Sequence, residues 1–303
     1  MTDHSSTEGS REYLAAAVEQ LTGRPAVLVD AGHFMPGESG ELSTTGSGDL
    51  CLCVPAEGLA LSPSAVIVYE IPPASRRGFE AFQHRLRAAG ARTLGDDAQA
   101  WRTATEKDLT VARFRRDGIP HMETVPLRRP SPEQAVAVFE RLGGDVWARP
   151  VMGMGGDDVF HITTPNELHT AAASYASTGA NWLLARDAGN FNADGLRHQY
   201  RVVVLDGEVI QACEHIQSDP DRPCNESQGA VSTLLSTDDL PPGLAELATA
   251  ATRSVGLRLG GVDLALENGG VVFEVNVHPA FGDLKPLETV ALPYVQAHLS
   301  GDR

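Results

Sequence analysis

The chain has 303 residues, 42% of them apolar, which is typical of a globular protein built from two or three α/β units. A formal net charge of −16 excludes nucleic acid as the expected partner, and no apolar run reaches the roughly 18 residues of a membrane span. Met1 to Arg11 lacks a secretory signal and predicts a frayed tail, and the four cysteines match no zinc or redox spacing, so we expect a cytoplasmic protein.

Strand and helix patterns alternate in the first third of the chain. The predicted strands are Ala26–Val29, Leu50–Val54 and Ala65–Tyr69, and the predicted helices are Arg11–Leu21 and Arg76–Ala89. Gly90 follows the second helix, where a C-terminal glycine is expected. This alternation predicts a small doubly wound α/β unit that ends near Ala100.

The middle of the chain continues with mixed elements. The predicted elements are helix Thr105–Asp117, strand Met122–Val125, helix Pro132–Leu142, strand Asp145–Arg149, strand Val159–Ile162, helix Pro165–Ser177 and strand Trp182–Ala185. Thr105 and Ser131 are the predicted N-cap residues of the first two helices.

Two hairpins are predicted in the last third. Asp206-Gly207 joins strands Gln199–Leu205 and Glu208–Ile216, and Asn268-Gly269 is a second type I′ turn signal. A strand over Val231–Leu235 and a helix over Pro242–Leu257 lie between them.

The second hairpin carries the strongest functional pattern. A two-residue loop places Leu264 opposite Phe273 and Asp263 directly opposite Glu274, and Asn276 points to the same face as this acidic pair. Opposed carboxylates destabilise a bare sheet, and these hard oxygen ligands suit Mg²⁺. The alternative is a surface hairpin with two solvated acids.

Four other features suggest an anion site. The segment Met152–Gly156 contains three glycines whose backbone can wrap a phosphate, although an ordinary mobile loop is the alternative. Arg149 precedes this loop, and Lys107, one of only two lysines, lies near the start of the predicted helix Thr105–Asp117. Arg201 lies inside the first hairpin, where it either meets a ligand or forms a salt bridge with Glu214.

The order of these motifs resembles the ATP-grasp superfamily, in particular carboxylate–amine ligases of the ribosomal-protein glutamate ligase and glutathione synthetase kind. The resemblance covers Lys107 to Gly282. It implies an α+β ATP-grasp fold in which two subdomains clamp a nucleotide. The implied division is an N-terminal domain 1–104, a central subdomain 105–183 with the Gly-rich flap, and a C-terminal subdomain 184–303 with the metal site.

The resemblance also implies site residues. Those for ATP are Lys107, Arg149, Gly153, Gly155, Gly156, Leu184, Ala185, Asp187, Arg201 and Asn225. The metal ligands are Asp263, Glu274 and Asn276, for one or two Mg²⁺ ions, with Mn²⁺ as a substitute. The acceptor substrate would meet Arg201, His278, Phe281 and Gly282, with Arg201 and His278 as catalytic groups. The family usually has lysine at Arg149 and glutamate near Arg186.

The implied activity is ATP-dependent amide formation through an acyl-phosphate, with Arg201 stabilising charge and His278 accepting a proton. We expect a small-molecule carboxylate and amine as substrates, and a homodimer is a candidate assembly. Ring closure within one molecule, as in D-cycloserine formation, is equally compatible. A small-molecule kinase and a nucleotide-binding module without chemistry are the alternatives from other classes.

Overall fold

The computed structural model describes residues 1–6, 8–280 and 285–300, which form two compact units. The first unit comprises Met1–Arg102, Leu257–Leu259 and the described residues from Val277 onward, and the second comprises Thr103–Gly256 and Gly260–Asn276. The predicted three-part division remains a prediction, although its first boundary at residue 104 lies two residues beyond the long segment of the first unit.

The helices are α1 (Ser10–Thr22), α2 (Pro73–Ala88), α3 (Ala98–Thr105), α4 (Lys107–Asp117), α5 (Pro132–Arg141), α6 (Pro165–Thr178), α7 (Leu244–Val255) and α8 (Leu292–Ser300), the last preceded by a π-helical turn (Leu287–Ala291). The strands are β1 (Glu41–Thr44), β2 (Leu50–Val54), β3 (Leu59–Leu61), β4 (Thr124–Leu127), β5 (Val146–Pro150), β6 (Phe160–Ile162), β7 (Trp182–Arg186), β8 (Arg197–Leu205), β9 (Glu208–Gln217), β10 (Val231–Leu235), β11 (Leu259–Ala265) and β12 (Val271–Asn276). Within the described ranges, no helix is long and apolar enough to cross a membrane.

The first unit contains an antiparallel meander in the order β1-β2-β3. This confirms the strand at Leu50–Val54, but the predicted strands Ala26–Val29 and Ala65–Tyr69 are wrong. Val27 and Leu28 are exposed, so the first apolar run lacks the burial that a core strand needs. The predicted doubly wound α/β unit is therefore wrong for this region. The sheet is the antiparallel β1-β2-β3 meander, and segments 26–29 and 65–69 lie outside any assigned strand.

The N-terminus supplies the backbone pairing that these extended segments need. The Met1 ammonium donates to Ile67 O at 2.8 Å, and Tyr69 N donates to Met1 O at 3.0 Å. Thr2 also forms a parallel bridge with Asp30. The expectation of a frayed tail is therefore wrong for Met1 and Thr2. Their backbone groups form hydrogen bonds with the extended segments 29–31 and 67–69, whose own backbone groups need partners.

The second unit begins with a four-stranded antiparallel sheet in the order β4-β7-β5-β6. Helices α5 and α6 pack together beside it, and both begin with a capping box, at Ser131 and Thr164. The predicted cap at Ser131 is confirmed. Buried residues such as Phe139, Val146 and Tyr175 join these helices to the sheet in one apolar cluster.

The second sheet of this unit is antiparallel, with the order β10-β9-β8-β11-β12. Helix α7 packs on strands β8, β9 and β12, and α4 packs on α7. Mixed helices and antiparallel sheets make the chain an α+β protein, as predicted. The two hairpins β8–β9 and β11–β12 lie side by side here and carry the charged residues described below.

Candidate active site

The hairpin β11–β12 places Asp263 directly opposite Glu274, as predicted. Asn268 and Gly269 have positive φ values of 57° and 81°, as the turn signal requires. The predicted two-residue loop is wrong, because the last paired residues are Ala265 and Val271 and the connection spans the five residues 266–270. The predicted pair of Leu264 with Phe273 is wrong, because a bulge pairs Leu264 with Val272 instead. Such a bulge adds one residue to a strand and shifts the register on one side of it only, so the acidic pair is preserved.

Arg201 on β8 forms a bidentate ion pair with Asp263. Its Nε donates to Oδ1 at 2.7 Å and its Nη2 to Oδ2 at 2.8 Å. The predicted alternative partner, Glu214, instead contacts His198 at 2.7 Å. A bulge between Val203 and Val204 pairs Arg201 with Cys213, whereas the uninterrupted two-residue hairpin would place Ala212 opposite it. Burial raises the pKa of Asp263, and the contact with Arg201 opposes this rise.

Glu274 lies between two cations. Its Oε2 is 3.4 Å from Lys107 Nζ and 3.7 Å from an Nη atom of Arg149. Burial acts to raise the pKa of Glu274, but Lys107, Arg149 and Arg201 outweigh it and lower that pKa to about 2. The carboxylate is therefore ionised at neutral pH, and two positive charges converge on it.

Lys107 is the first residue of α4 rather than its third. The helix begins after Glu106, so the predicted N-cap at Thr105 is wrong, because Thr105 ends the preceding helix α3. Gly118 ends α4 with φ 71°, a left-handed conformation that suits glycine. This start brings the Lys107 ammonium within 3.2 Å of Gly153 O in the Gly-rich loop.

Arg149 retains an unused donor. One Nη group donates to Phe273 O at 2.9 Å, whereas Nε is fully buried without a partner in the described part of the chain. A buried polar group without a hydrogen bond is costly, so Arg149 Nε marks a place where an acceptor is missing. Burial lowers the pKa of Arg149, although Glu274 and Asp263 oppose this effect.

The Gly-rich loop rests on the connection between β9 and β10. Ser227 Oγ donates to Gly155 O at 2.6 Å, and Gln228 Nε2 donates to the same oxygen at 3.2 Å. Gly156 has φ 77°, and a Cβ there would lie within 2.9 Å of Pro223 Cγ, Asn225 Oδ1 and Gln228 Cγ. The loop therefore closes over this connection only because residue 156 has no side chain.

Replacing Gly156 by alanine is expected to weaken nucleotide binding by about tenfold or more, because its Cβ would force the loop off its support. The matched control is Gly179→Ala, since Gly179 has φ 68° with nothing within 4 Å of the added Cβ. Both variants should lose about 1 kcal/mol of unfolding free energy from backbone strain. Equal nucleotide affinity in both variants, measured by calorimetry, would show that loop closure does not depend on Gly156.

A cavity in the second unit brings most of the predicted residues together. The predicted residues that line it are Lys107, Arg149, Gly153, Gly155, Gly156, Ala185, Asp187, Asn225, Asp263 and Glu274. Leu184, Arg201 and Asn276 are not lining residues, and the last two contact the cavity wall through Asp263. Sequence analysis missed Trp147, Asn190 and Arg197. Arg197 shares a strand face with Arg201, four residues away, and this spacing was the available signal.

Asp187 is already engaged by protein groups. Its Oδ1 accepts from Trp147 Nε1 at 2.6 Å and from Arg197 at 2.8 Å, and its Oδ2 accepts from Gly189 N at 2.8 Å. Burial acts to raise the pKa of Asp187, but Arg197 and these hydrogen bonds lower it below the ordinary value. This carboxylate is a fixed anion on the cavity wall.

His278 lies in the first unit and is buried between the rings of Tyr69 and Trp101. Its Nδ1 accepts from Ile71 N at 3.3 Å, so the neutral ring carries its proton on Nε2. Burial and Arg76 lower the pKa of His278 well below its usual range. The predicted role of proton acceptor does not fit, because the basic nitrogen is already used. Phe281 and Gly282 lie outside the described residues.

Two of the predicted metal ligands, Asn276 and Glu274, each have a side-chain oxygen that could bind a cation. Asn276 Nδ2 donates to Asp263 Oδ2 and to Gly261 O, both at 3.2 Å, which leaves its Oδ1 without a donor in the described ranges. Glu274 uses only Oε2 for its two cations. Carboxylate and amide oxygens of this kind suit Mg²⁺, so these residues fit a divalent cation.

One buried histidine beside this site makes the fold sensitive to acid. Burial, and then Arg201, lower the pKa of His215 to about 4. Because the unfolded value is higher, near 6.5, stability is fully present above pH 6.5 and is lost as the pH falls toward 4. We expect His215 to remove about 2 kcal/mol of unfolding free energy between pH 7.5 and pH 5.

Urea unfolding at the two pH values, in wild type and in His215→Gln, measures this effect. The variant should lose about 2 kcal/mol less than wild type between pH 7.5 and pH 5, because glutamine does not titrate. His278, whose pKa is also lowered, remains as a second acid-sensitive group. An identical pH dependence in both proteins would contradict the assignment of a buried neutral His215.

Comparisons with known proteins agree with this architecture. No curated protein matches the chain. Among solved structures, D-cycloserine synthetase DcsG superposes with a TM-score of 0.67 at 17% identity, covering 98% of this chain and 96% of that one. Macrocyclase MdnC from Microcystis aeruginosa MRC, bound with precursor peptide MdnA, gives 0.67 at 14% identity, covering 98% of both chains. ATP-grasp ligase PsnB, complexed with a precursor variant, Mg and ADP, gives 0.66 at 16%, covering 98% and 96%.

A family model gives the direct assignment. The model of the RimK-like ATP-grasp domain matches residues 104–289, more than half of the chain. The matched segment contains both antiparallel sheets of the second unit. It also contains every residue that lines the cavity, from Lys107 to Glu274. The chain belongs to the RimK-like ATP-grasp family.

Proposed function

We propose that this protein is an ATP-dependent ligase that activates a carboxylate as an acyl-phosphate and joins it to an amine. The observation that carries the proposal is the convergence of Lys107 and Arg149 on Glu274, with Arg149 Nε lacking an acceptor. Phosphoryl transfer needs positioned cations and little covalent chemistry from the protein, which agrees with this set.

The nucleotide would lie along the cavity with its phosphates at this end. Lys107 and Arg149 would hold phosphate oxygens, and Arg149 Nε would gain its missing acceptor. The Gly-rich loop would cover the phosphates beside Asn225, and the backbone of Leu184 and Ala185 would meet the adenine. Glu274, Asn276 and Asp263 would hold Mg²⁺, which neutralises charge on the phosphates when bound.

In the first step a substrate carboxylate oxygen attacks the γ-phosphorus, and the bond to the ADP oxygen breaks. The cations at Lys107 and Arg149 then offset the charge that develops on the transferred group. In the second step an amine attacks the acyl carbon and the carbon–oxygen bond breaks. Inorganic phosphate leaves with that oxygen and takes up the proton that the amine nitrogen loses. Arg201 would hold Asp263 in position through its bidentate pair.

For the substrates, we propose a small-molecule carboxylate and amine in a biosynthetic reaction in the cytoplasm. A ring closure within one molecule is supported equally, since one of the similar structures is a D-cycloserine synthetase. PsnB and MdnC are each described in a complex with a precursor peptide, so peptide carboxylates belong among the substrates tested.

Trapping the acyl-phosphate tests this proposal. The protein is incubated with Mg-ATP, hydroxylamine and a panel of amino acids, hydroxy acids and peptides, and hydroxamate is measured. A carboxylate-dependent hydroxamate supports ligase chemistry and identifies the acid. A stable phosphorylated product would instead indicate a kinase, and ATP binding without turnover by any acid would indicate a nucleotide-binding module.

A further inference from the structure

Two cysteines on one strand of the first unit bring their thiols together. Cys51 and Cys53 lie on β2, and their Sγ atoms are 3.7 Å apart. Residues two apart in a strand point to the same side. On the other side of β2, Leu50, Leu52 and Val54 are buried and fix the strand against the core, whereas both cysteines are partly exposed. The two thiols are therefore held next to each other on the accessible face of β2.

A disulfide does not fit this pair. Cβ atoms two residues apart in a strand are about 6.8 Å apart, because each residue rises about 3.4 Å. A disulfide needs Cβ atoms about 3.8 Å apart. Closing the bond would therefore bend a strand that pairs on both sides, with β1 and with β3. The hydrogen bond with Cys51, followed by burial and Glu41, raises the pKa of Cys53, so this group is a thiol at neutral pH and lacks the reactivity of a thiolate.

The spacing of the two sulfurs instead matches a tetrahedral metal ion. Two thiolates bound to one Zn²⁺ at about 2.3 Å and at the tetrahedral angle lie about 3.8 Å apart. The separation of 3.7 Å between the Sγ atoms of Cys51 and Cys53 agrees with that value. Thiolates are soft ligands, which favour zinc over magnesium or calcium. The Cys-x-Cys spacing matches no sequence pattern for zinc, because it brings two sulfurs together only when the segment is a strand.

A carboxylate on the neighbouring strand completes the ligand set. Glu41 on β1 pairs directly with Cys53, and Ser43 pairs with Cys51, so these four side chains share one face of the meander. Directly opposed residues have Cβ atoms about 5 Å apart, which is within reach of a glutamate side chain. Glu41 is exposed, and its carboxylate has no hydrogen-bond or ion-pair partner in the part of the chain that the structure describes. It can therefore turn toward the two sulfurs, and a water molecule can take the fourth position.

We propose that Cys51, Cys53 and Glu41 form a binding site for Zn²⁺. On binding, each thiol releases its proton to solvent, and the two thiolates and the carboxylate bind the ion. Because the ligands come from β1 and β2, a bound ion ties these strands together and stabilises the meander. The inference does not depend on the proposed function, since all three ligands belong to the first unit and the acidic pair of the candidate active site belongs to the second.

Thiol protection in the whole protein tests this inference. Reduced protein, freed of bound metal with a chelator, is treated with iodoacetamide with and without Zn²⁺, and alkylation of each cysteine is measured by peptide mass spectrometry. Excess Mg²⁺ is present throughout, so that the oxygen ligands of the second unit are occupied. Zn²⁺ should slow alkylation of Cys51 and Cys53 together by about tenfold or more, because a thiolate bound to metal is no longer a free nucleophile.

Cadmium titration measures the affinity and assigns the ligands. Cd²⁺ replaces Zn²⁺ at thiolate sites and gives an ultraviolet thiolate charge-transfer band. Cys51→Ser and Cys53→Ser should each weaken Cd²⁺ binding by about 100-fold or more, and Glu41→Gln by about tenfold. The matched controls are Cys224→Ser, a buried thiol of the second unit, and Glu19→Gln, an exposed carboxylate on α1, and both should keep the wild-type affinity.

Several results would overturn the inference. One is equal alkylation of Cys51 and Cys53 with and without Zn²⁺. Another is wild-type affinity for Cd²⁺ in either cysteine variant, since the ligands would then lie elsewhere. A Cys51–Cys53 disulfide as the main product when Zn²⁺-saturated protein is exposed to oxidised glutathione would identify a redox pair instead. Wild-type affinity in Glu41→Gln would overturn the assignment of the third ligand. Should the cysteine variants fail to fold, alkylation of the wild type still decides the question.

Discussion

Glu274→Gln is expected to lower ATP turnover by about 10³-fold while the fold is retained. The substitution removes the charge on which Lys107 and Arg149 converge and one of the oxygens offered to Mg²⁺. Glutamine has nearly the same shape, so packing in the hairpin is preserved. The measurement is ADP release with the carboxylate identified by hydroxamate trapping.

The matched control is Glu208→Gln, which removes an exposed carboxylate from the first residue of β9. It should leave turnover within about twofold of wild type, as expected for a surface substitution away from the site. Thermal unfolding of both variants shows whether the fold is kept. Turnover by Glu274→Gln within about tenfold of wild type would contradict the assignment of Glu274 as a metal ligand.

Arg201→Met is expected to destabilise the protein by about 3–5 kcal/mol, because it leaves the Asp263 carboxylate buried without its bidentate partner. Asp263 is only 3% exposed, so water cannot replace the lost contacts. Unfolding in urea measures the effect. Activity should be lost as well, since the Asp263 carboxylate would no longer be oriented by its bidentate partner.

The double variant Arg201→Met/Asp263→Leu separates the two effects. Replacing both partners by apolar groups removes the unpaired charge, so most of the lost stability should return while activity stays absent. If the double variant is as unstable as the sum of the single variants, the pair does not interact as the distances indicate.

The sequence predicted the second unit better than the first because its signals are local. Asn268-Gly269 and Asp206-Gly207 require positive φ, and that requirement alone places both hairpins. Ser131 fixed the start of α5 in the same way. The bulges beside Asp263 and Val203 could not be predicted, because packing across the sheet decides where a strand absorbs an extra residue.

The errors in the first unit have a different cause. An apolar run such as Ala26–Val29 predicts a strand only if tertiary packing buries it, and here Val27 and Leu28 remain exposed. The pairing of Met1 with Ile67 spans 66 residues, and no local pattern encodes a contact of that separation.

In the candidate site, too, residue types could be predicted from the sequence, whereas contacts between distant segments could not. Asp263, Glu274 and Lys107 were predicted from residue type and spacing, and the structure brings them together in one unit. The pairing of Arg197 with Asp187 depends on the long connection after β7 and was not predicted. His278 was assigned from its position in a motif, and burial between two rings removes it from proton transfer.

The most direct test of the ligase assignment follows one oxygen atom. The carboxylate identified by trapping is labelled with ¹⁸O and incubated with the protein, Mg-ATP and the amine, and the released phosphate is analysed by mass spectrometry. Attack of the carboxylate on the γ-phosphorus predicts one ¹⁸O atom in each phosphate, formed together with ADP. Unlabelled phosphate would show that water is the attacking group, and it would contradict the assignment of this protein as a carboxylate-activating ligase.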